Sequence, residues 1–419
     1  VDSPIHIRGL KKYAIDNAGV VPVPMSAPST GKRIAVIGGG PSGLTAAYFL
    51  SLMGHGVTVF EKREHLGGML RYGIPSYRLP REKLQMDIDA ILSAGVEVKK
   101  GVDIGSAEYS IEKLRGEYDA VYVSIGAHTF KTLGIPGEDA RGVIPAVEML
   151  RGIGDYKMPD FTGKVVCVIG GGNVAMDVVR TAKRLGAKNA SLVYRRRKED
   201  MTALPEEIEG AIAEGCDLIT LMAPDSVEVD ANGDVKGLWV KPQIPGLSDS
   251  SGRPRPVNAK ADKVFIPCDL VLSAIGQAID AESFEKYGIP TKWGNVVTNS
   301  SCGIKDFDGV FAGGDCVTGP STVINAIMAG KVAAGNIDQY LGFHHPITCD
   351  VDIPKPRNID RPACGRAVLT ERHASERIND FDYIENPLPE EAALQEALRC
   401  LRCDCFGFGS FRGGREKQW

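Results

Sequence analysis

Two glycine-rich turns of one build stand at Gly38-Gly39-Gly40-Pro41-Ser42-Gly43 and Gly170-Gly171-Gly172-Asn173-Val174-Ala175. Each follows an apolar run and opens a helix-like run. Glycine at these spacings lets backbone approach a phosphate, and the N–H groups at the start of the next helix point at a pyrophosphate. One such turn is a weak signal, but two predict two dinucleotides on one chain.

The residues after each turn separate the two sites. About twenty positions past the first lies Val57-Thr58-Val59-Phe60-Glu61, followed by Lys62. This reads as a short strand ending in a carboxylate that accepts hydrogen bonds from ribose hydroxyls, which suits the adenosine of FAD or NAD. At the matching place after the second turn stands Ser191-Leu192-Val193-Tyr194-Arg195-Arg196-Arg197-Lys198. Guanidinium groups bind a ribose 2′-phosphate with paired, charge-assisted hydrogen bonds, and a carboxylate would repel it. The second site is therefore expected to take NADP(H); a solvated basic helix start is the competing reading.

Positioning these groups requires strand, tight turn and helix, twice. Residues 33–37 and 164–169 are too β-branched and too short for helices and read as parallel strands buried on both faces. Residues 44–53 and 174–185 carry good helix formers. Residues 82–94 read as an amphipathic helix, and residues 96–99 and 119–124 as strands.

The predicted class is α/β, with two nested Rossmann-like dinucleotide-binding domains, an extended C-terminal arm and a Cys-rich end. Residues 1–32 form a lead-in segment and linker. Residues 33–134 and 277–342 make a discontinuous first domain, and residues 135–276 a second one inserted into it. Leu270-Val271-Leu272-Ser273-Ala274-Ile275-Gly276 echoes Val121-Tyr122-Val123-Ser124-Ile125-Gly126, an internal repeat. Residues 343–386, rich in Pro, Asp, Arg and His, read as an arm lying on a surface, and 387–419 as a helix with a Cys-rich tail.

With 419 residues and 43% hydrophobic content the chain can bury more than one core. A net charge of −4 gives no reason to invoke nucleic acid or an anionic membrane, and no apolar run reaches the length of a membrane span. Ten cysteines without an even framework suit a reducing cytoplasm, the expected location. The first residue is Val1, so the chain is expected to begin inside a longer polypeptide.

Taken together, residues 38–43, Glu61, Gly67-Gly68, the two Ile-Gly strand ends, Gly314-Asp315 and the nested second fold resemble the two-dinucleotide flavoproteins, the superfamily of glutathione and thioredoxin reductases. Longer stretches resemble the small subunit of NADPH-dependent glutamate synthase: Gly67-Gly68-Met69-Leu70-Arg71-Tyr72-Gly73-Ile74-Pro75, Arg78-Leu79-Pro80, Gly171-Gly172-Asn173-Val174-Ala175-Met176-Asp177 and Tyr194-Arg195-Arg196. Its relatives include a half of dihydropyrimidine dehydrogenase and the NADPH-binding subunit of electron-bifurcating transhydrogenases.

The resemblance implies FAD at Gly38, Gly40, Pro41, Ser42, Gly43, Glu61 and Lys62. It places Gly68, Arg71, Ile74, Arg78 and Leu79 near the flavin ring and ribityl chain, with Gly126, Gly314 and Asp315 also on that cofactor. Thr322, Val323 and Ala326 would start a helix at the pyrimidine end, where N–H groups stabilise the charge of reduced flavin. Gly170, Gly172, Asn173 and Val174 would meet the NADPH pyrophosphate, Arg195 and Arg196 its 2′-phosphate, and Gly276 the second strand end. The family carries a Cys-rich, iron–sulfur-binding N-terminal domain, yet no cysteine precedes Cys167. Pro4-Ile5-His6-Ile7-Arg8-Gly9-Leu10-Lys11 resembles the segment after those cysteines, so that part is expected to be trimmed or supplied by another protein.

The loop after Gly67-Gly68 holds no cysteine, and Cys167, Cys216 and Cys268 are isolated in sequence, so a flavin-facing dithiol is not expected. His128 reads as a loop histidine near nucleotide rather than an acid/base. No residue is singled out as catalytic, because hydride transfer from nicotinamide to flavin needs positioning and not a side-chain base. Cys400, Cys403 and Cys405 offer three thiolates in six residues. An iron–sulfur centre, structural zinc and an unliganded tail all remain open there, with Cys349, Cys364, His373 or another subunit as sources of a fourth ligand. The expected function is an FAD-dependent NADPH oxidoreductase subunit that exchanges electrons with iron–sulfur or flavin subunits or with ferredoxin. The alternatives are a nucleotide-binding docking subunit and a self-contained NADPH oxidase or monooxygenase.

Overall fold

The computed structural model describes residues 3–19, 21–106, 108–249, 252–347 and 364–401. Strand β1 (Arg33–Ile37) is buried from its second residue on and leads into helix α1 (Pro41–Leu52), whose first position is proline. Strand β2 (Gly56–Glu61) pairs parallel to β1, followed in the sheet by β3 (Glu97–Lys100), while β4 (Ala120–Val123) flanks β1 on the other side. Ile34 and Val36 of β1 pack with Leu44, Leu50 and Val59, and Ala35 and Ile37 pack with Val121 and Val123. Both faces are covered, so the strand reads as an unbroken apolar run.

The second sheet repeats this plan. It is built from β5 (Val143–Pro145), β6 (Val165–Ile169), β7 (Asn189–Tyr194) and β8 (Asp217–Thr220), with helix α2 (Asn173–Arg184) after the second glycine turn and α3 (Pro205–Ala213) before β8. An antiparallel excursion follows: β9 (Met222–Val229), β10 (Val235–Ser248), β11 (Pro254–Asn258) and β12 (Val264–Pro267). Asp230 shapes its first turn by accepting backbone hydrogen bonds from Asn232 and Asp234. The ribbon covers the sheet face at Cys167, Ile169 and Val271 with Val227, Leu238 and Val240. Strand β13 (Leu270–Ser273) then inserts beside β6, giving the order β5-β13-β6-β7-β8. The sequence echo has this cause: β13 stands to β6 as β4 stands to β1.

The chain returns to the first sheet through β14 (Val310–Ala312), which pairs with β4. Helix α4 (Val323–Tyr340) packs Ala333, Ala334 and Ile337 into the core with Ala46 and Leu50. In its last turn Asp338 accepts from the backbone N–H of His345 and bonds the rings of His55 and His345, pinning the departing chain.

The C-terminal segment departs from expectation. Its described part is not only a surface arm, because helix α5 (Ala374–Arg377) carries Arg377 at 5% exposure, and Ile384 and Leu388 are buried. Composition misled because the buried charge is neutralised by a partner far away in sequence. Helix α6 (Glu390–Arg399) follows Pro389, and its buried Glu396 accepts from the backbone N–H groups of His6 and Ala367. Cys403 and Cys405 lie outside the described residues. Among the described residues no helix is long and apolar enough to cross a membrane.

Candidate dinucleotide cavity

A cavity of about 720 Å³ opens where the first glycine turn meets the second fold. Gly38, Gly40, Pro41 and Ser42 line it at the start of α1. Gly43 sits one step behind: a Cβ there would lie 2.0 Å from the Gly38 carbonyl oxygen and 2.7 Å from Ser124 Oγ, so only glycine lets helix and strand approach this closely. Ser42 Oγ and the Tyr122 hydroxyl are 2.7 Å apart beneath the turn.

Glu61 ends β2 at the cavity wall. Its two carboxylate oxygens accept from the backbone N–H groups of Gly39 and Arg63, each at 2.8 Å. Burial raises its pKa, and these hydrogen bonds oppose the rise. Lys62, Gly68, Ile74, Arg78 and Gly126 share the wall. The wall also holds Asp315, whose carboxyl pKa burial likewise raises, and the first turn of α4 with Thr322, Val323 and Ala326. Thr322 caps that helix by accepting from the Asn325 N–H.

Besides Gly43, three of the expected contacts sit back from the cavity. Arg71 is buried, donating to the Leu66 carbonyl, Gln85 and the Tyr156 hydroxyl; Leu79 packs in the core; Gly314 lies behind Asp315. Two unexpected groups stand in the wall, Arg63 and Arg151, beside His128, which was expected near nucleotide. Burial, then the charges of Arg63 and Arg151, depress the His128 pKa to about 4, so the imidazole is neutral at pH 7. Its Nδ1 and the Arg151 Nε are buried without partners among the described residues, while another Arg151 nitrogen donates to the His128 carbonyl. Nothing in the local sequence marks Arg63 or Arg151, which meet only through the fold.

The second fold contributes Asn173, Val174 and Asp177 of α2 to the same cavity. Asn173 Oδ1 accepts from the Leu204 N–H at 2.9 Å, tying the helix start to the loop before α3. One guanidinium nitrogen of Arg78, Nη1, donates to both carboxylate oxygens of Asp177 at 2.9 and 3.0 Å, joining the first fold's loop to α2. Burial raises the Asp177 carboxyl to about 6 against the pull of Arg78.

Gly170, Gly172 and Gly276 lie outside the cavity wall. The arginines after β7 diverge. Arg195 is exposed and makes no ion pair among the described residues. Arg196 pairs with Asp249 at 3.1 Å and donates to the Pro254 carbonyl, and Arg197 pairs with Asp200.

The cysteines require one correction. Cys167 and Cys268 are not isolated: both are buried in one core cluster, Cys167 on β6 and Cys268 just before β13, which pairs with β6. They are sealed in the core with Val227 and Leu238, so the pair does not face the cavity. Cys316 is fully buried and bonds the Val123 and Gly313 carbonyls. Among the described residues no cysteine lines the cavity.

Two parallel sheets that share the order of four strands, β4-β1-β2-β3 and β13-β6-β7-β8, each with a glycine turn, and one cavity walled by both define a two-dinucleotide oxidoreductase fold. The chain belongs to the pyridine nucleotide-disulphide oxidoreductase family, which it matches over residues 32–330. It is 38% identical to the NADP(+)-dependent formate dehydrogenase subunit beta of Moorella thermoacetica, over 96% of this chain and 62% of that protein. It is 31% identical to the glutamate synthase [NADPH] small chain of Escherichia coli, over 80% of this chain and 75% of that one. The chain thus spans less than two thirds of the formate dehydrogenase subunit's length. Among solved structures, Mycobacterium tuberculosis FprA in complex with NADPH shares the fold, with a TM-score of 0.64 and 19% identity over 75% of this chain and 85% of that one.

Proposed function

We propose that this chain is the FAD- and NADPH-binding subunit of a larger electron-transfer complex. The observation that carries this reading is the composition of one cavity wall, in which Glu61, Asp315 and the α4 start of the first fold face Asn173, Val174 and Asp177 of the second. FAD would be held by Gly38, Gly40, Pro41, Ser42, Glu61 and Lys62, with Asp315, Thr322, Val323 and Ala326 around its ring system. Residues 33–134 with 277–342 form the FAD-binding domain and residues 135–276 the NADP(H)-binding domain. NADPH would lie against Gly170, Gly172, Asn173 and Val174. Bound flavin supplies a hydride acceptor, and the chain's own residues bind, orient and exclude water.

Electrons then pass to iron–sulfur centres in partner subunits. The printed names of the relatives support a subunit role, since one is a formate dehydrogenase subunit and another a glutamate synthase small chain. Cys400 ends α6, and with Cys403 and Cys405 it would bind an iron–sulfur cluster, or zinc in the alternative. Metal and acid-labile sulfide analysis of the protein with its copurifying chains separates these readings.

The test of the whole is anaerobic addition of NADPH to the purified holoprotein. Bleaching of the flavin supports a turnover-competent subunit, and a flavin that stays oxidised overturns it. Nucleotide choice gives a further expectation. Arg195→Leu is expected to lower kcat/KM for NADPH about 100-fold and leave that for NADH within about threefold, because only NADPH offers a phosphate to the guanidinium. Arg196→Leu should cost less, since Asp249 already holds that side chain. Initial rates with both nucleotides measure this, and equal losses for the two would contradict it.

A further inference from the structure

The loop that carries Arg78 is held from behind. Its Ser76 hydroxyl donates to the Phe381 carbonyl, and the Tyr77 carbonyl accepts from the Ile384 N–H at 3.0 Å. Both partners belong to the C-terminal segment around α5. Tyr77 is fully buried, with the Arg184 guanidinium 4.1 Å above its ring and Phe381 at 6.2 Å. Its hydroxyl donates to the Asp177 carbonyl in α2.

The same C-terminal segment also grips the second fold. Arg377 Nε donates to Glu214 at 2.7 Å, and Glu214 also takes Arg180 and Arg184 of α2. Arg180 reaches Glu207 of α3, and Glu207 reaches Arg78. One continuous polar lattice therefore runs from the C-terminal segment through the loop at residues 76–78 to the helix that walls the cavity. Moving α2 against the first fold requires parting Arg78 from Asp177 and Glu207, and moving it against the C-terminal segment requires parting the buried Arg377 from Glu214.

We propose that residues 371–384 are a strap that fixes the two dinucleotide folds in one hydride-transfer register, with Arg377 and Phe381 as positioning residues that act through Tyr77 and Arg78. The proposal rests on the NADPH-to-FAD reading above. None of residues 371–384 lines the cavity; the strap sets where Arg78 and Asp177 stand, and so how the second fold presents its ligand to the first. A displacement of about 1 Å between reacting atoms costs on the order of 100-fold in rate, so loosening the strap should act on the transfer step and not on binding.

The test uses the full-length holoprotein with Arg377→Met and, separately, Phe381→Ala, which leaves the ionic lattice intact should the first variant fail to fold. Flavin content and NADP+ affinity are expected to stay within about threefold of wild type, while the flavin-bleaching rate at saturating NADPH falls at least about tenfold. Long-wavelength charge-transfer absorbance between bound nicotinamide and flavin should weaken, and the amides of residues 74–80 should exchange deuterium faster. Arg377→Lys should recover part of the rate. A wild-type rate with unchanged exchange in the folded variants overturns the strap, as does a rate loss that matches lost flavin. Wild-type protein that NADPH does not bleach overturns the functional reading instead, and the exchange measurement still decides the strap.

Discussion

Replacing Gly43 by valine is expected to yield protein that retains no flavin and unfolds at markedly lower temperature. The new Cβ would sit 2.0 Å from the Gly38 carbonyl oxygen and 3.1 Å from Val36 Cγ1. The first of these is backbone of the phosphate-binding turn itself, so relief requires moving the turn away from α1 and turning its N–H groups off the pyrophosphate. Overpacking of this kind costs about 1–3 kcal/mol or more before any ligand is lost. Gly56→Ala is the control, because a Cβ there has its nearest neighbour at 3.5 Å. Visible absorbance per protein and thermal unfolding measure both variants. A Gly43→Val protein that purifies yellow would contradict the placement of the cofactor.

Glu214→Ala is expected to destabilise the fold by about 3–5 kcal/mol, the usual result of leaving buried charges without their partner. Glu214 is fully buried and accepts from Arg180, Arg184 and Arg377, none more than 6% exposed at the side chain. Burial alone would raise its pKa, but the hydrogen bonds from Arg184 and Arg180 overcome it and hold the carboxyl at about 2. The folded value lies below the unfolded one, so the stabilisation is fully present above the ordinary glutamate range and is lost as pH falls toward 2. Urea unfolding at neutral pH should show the full loss in the variant, and the difference between variant and wild type should shrink in acid. A pH-independent difference would point to packing and not to charge.

The parts of the site that were legible in the sequence are those made by neighbours in the chain. A strand, a glycine turn and a helix start are contiguous, so residues 38–43 and Glu61 declare themselves, and Asp315 follows Gly314 directly. The strap was not legible, because Arg377 and Glu214 are 163 residues apart and a buried ion pair has the same composition as a solvated one. Arg78 and Asp177, 99 residues apart, met the same obstacle, although both stood inside recognised motifs. Cys167 and Cys268 looked isolated for this reason too, since strand pairing alone unites them. The sequence makes Arg195 and Arg196 look equivalent, but successive side chains leave an extended chain on opposite sides, and among the described residues Arg196 pairs with Asp249 while Arg195 makes no ion pair.

The central claim is direct passage of a hydride between two ligands that share one cavity. The measurement that tests it is the kinetic isotope effect on anaerobic flavin bleaching with NADPH deuterated at one or the other face of nicotinamide C4. The account predicts a primary effect from one face and none from the other, because a fixed register presents a single face. No effect from either face at a rate limited by chemistry, or bleaching that needs an added thiol or partner, would contradict it.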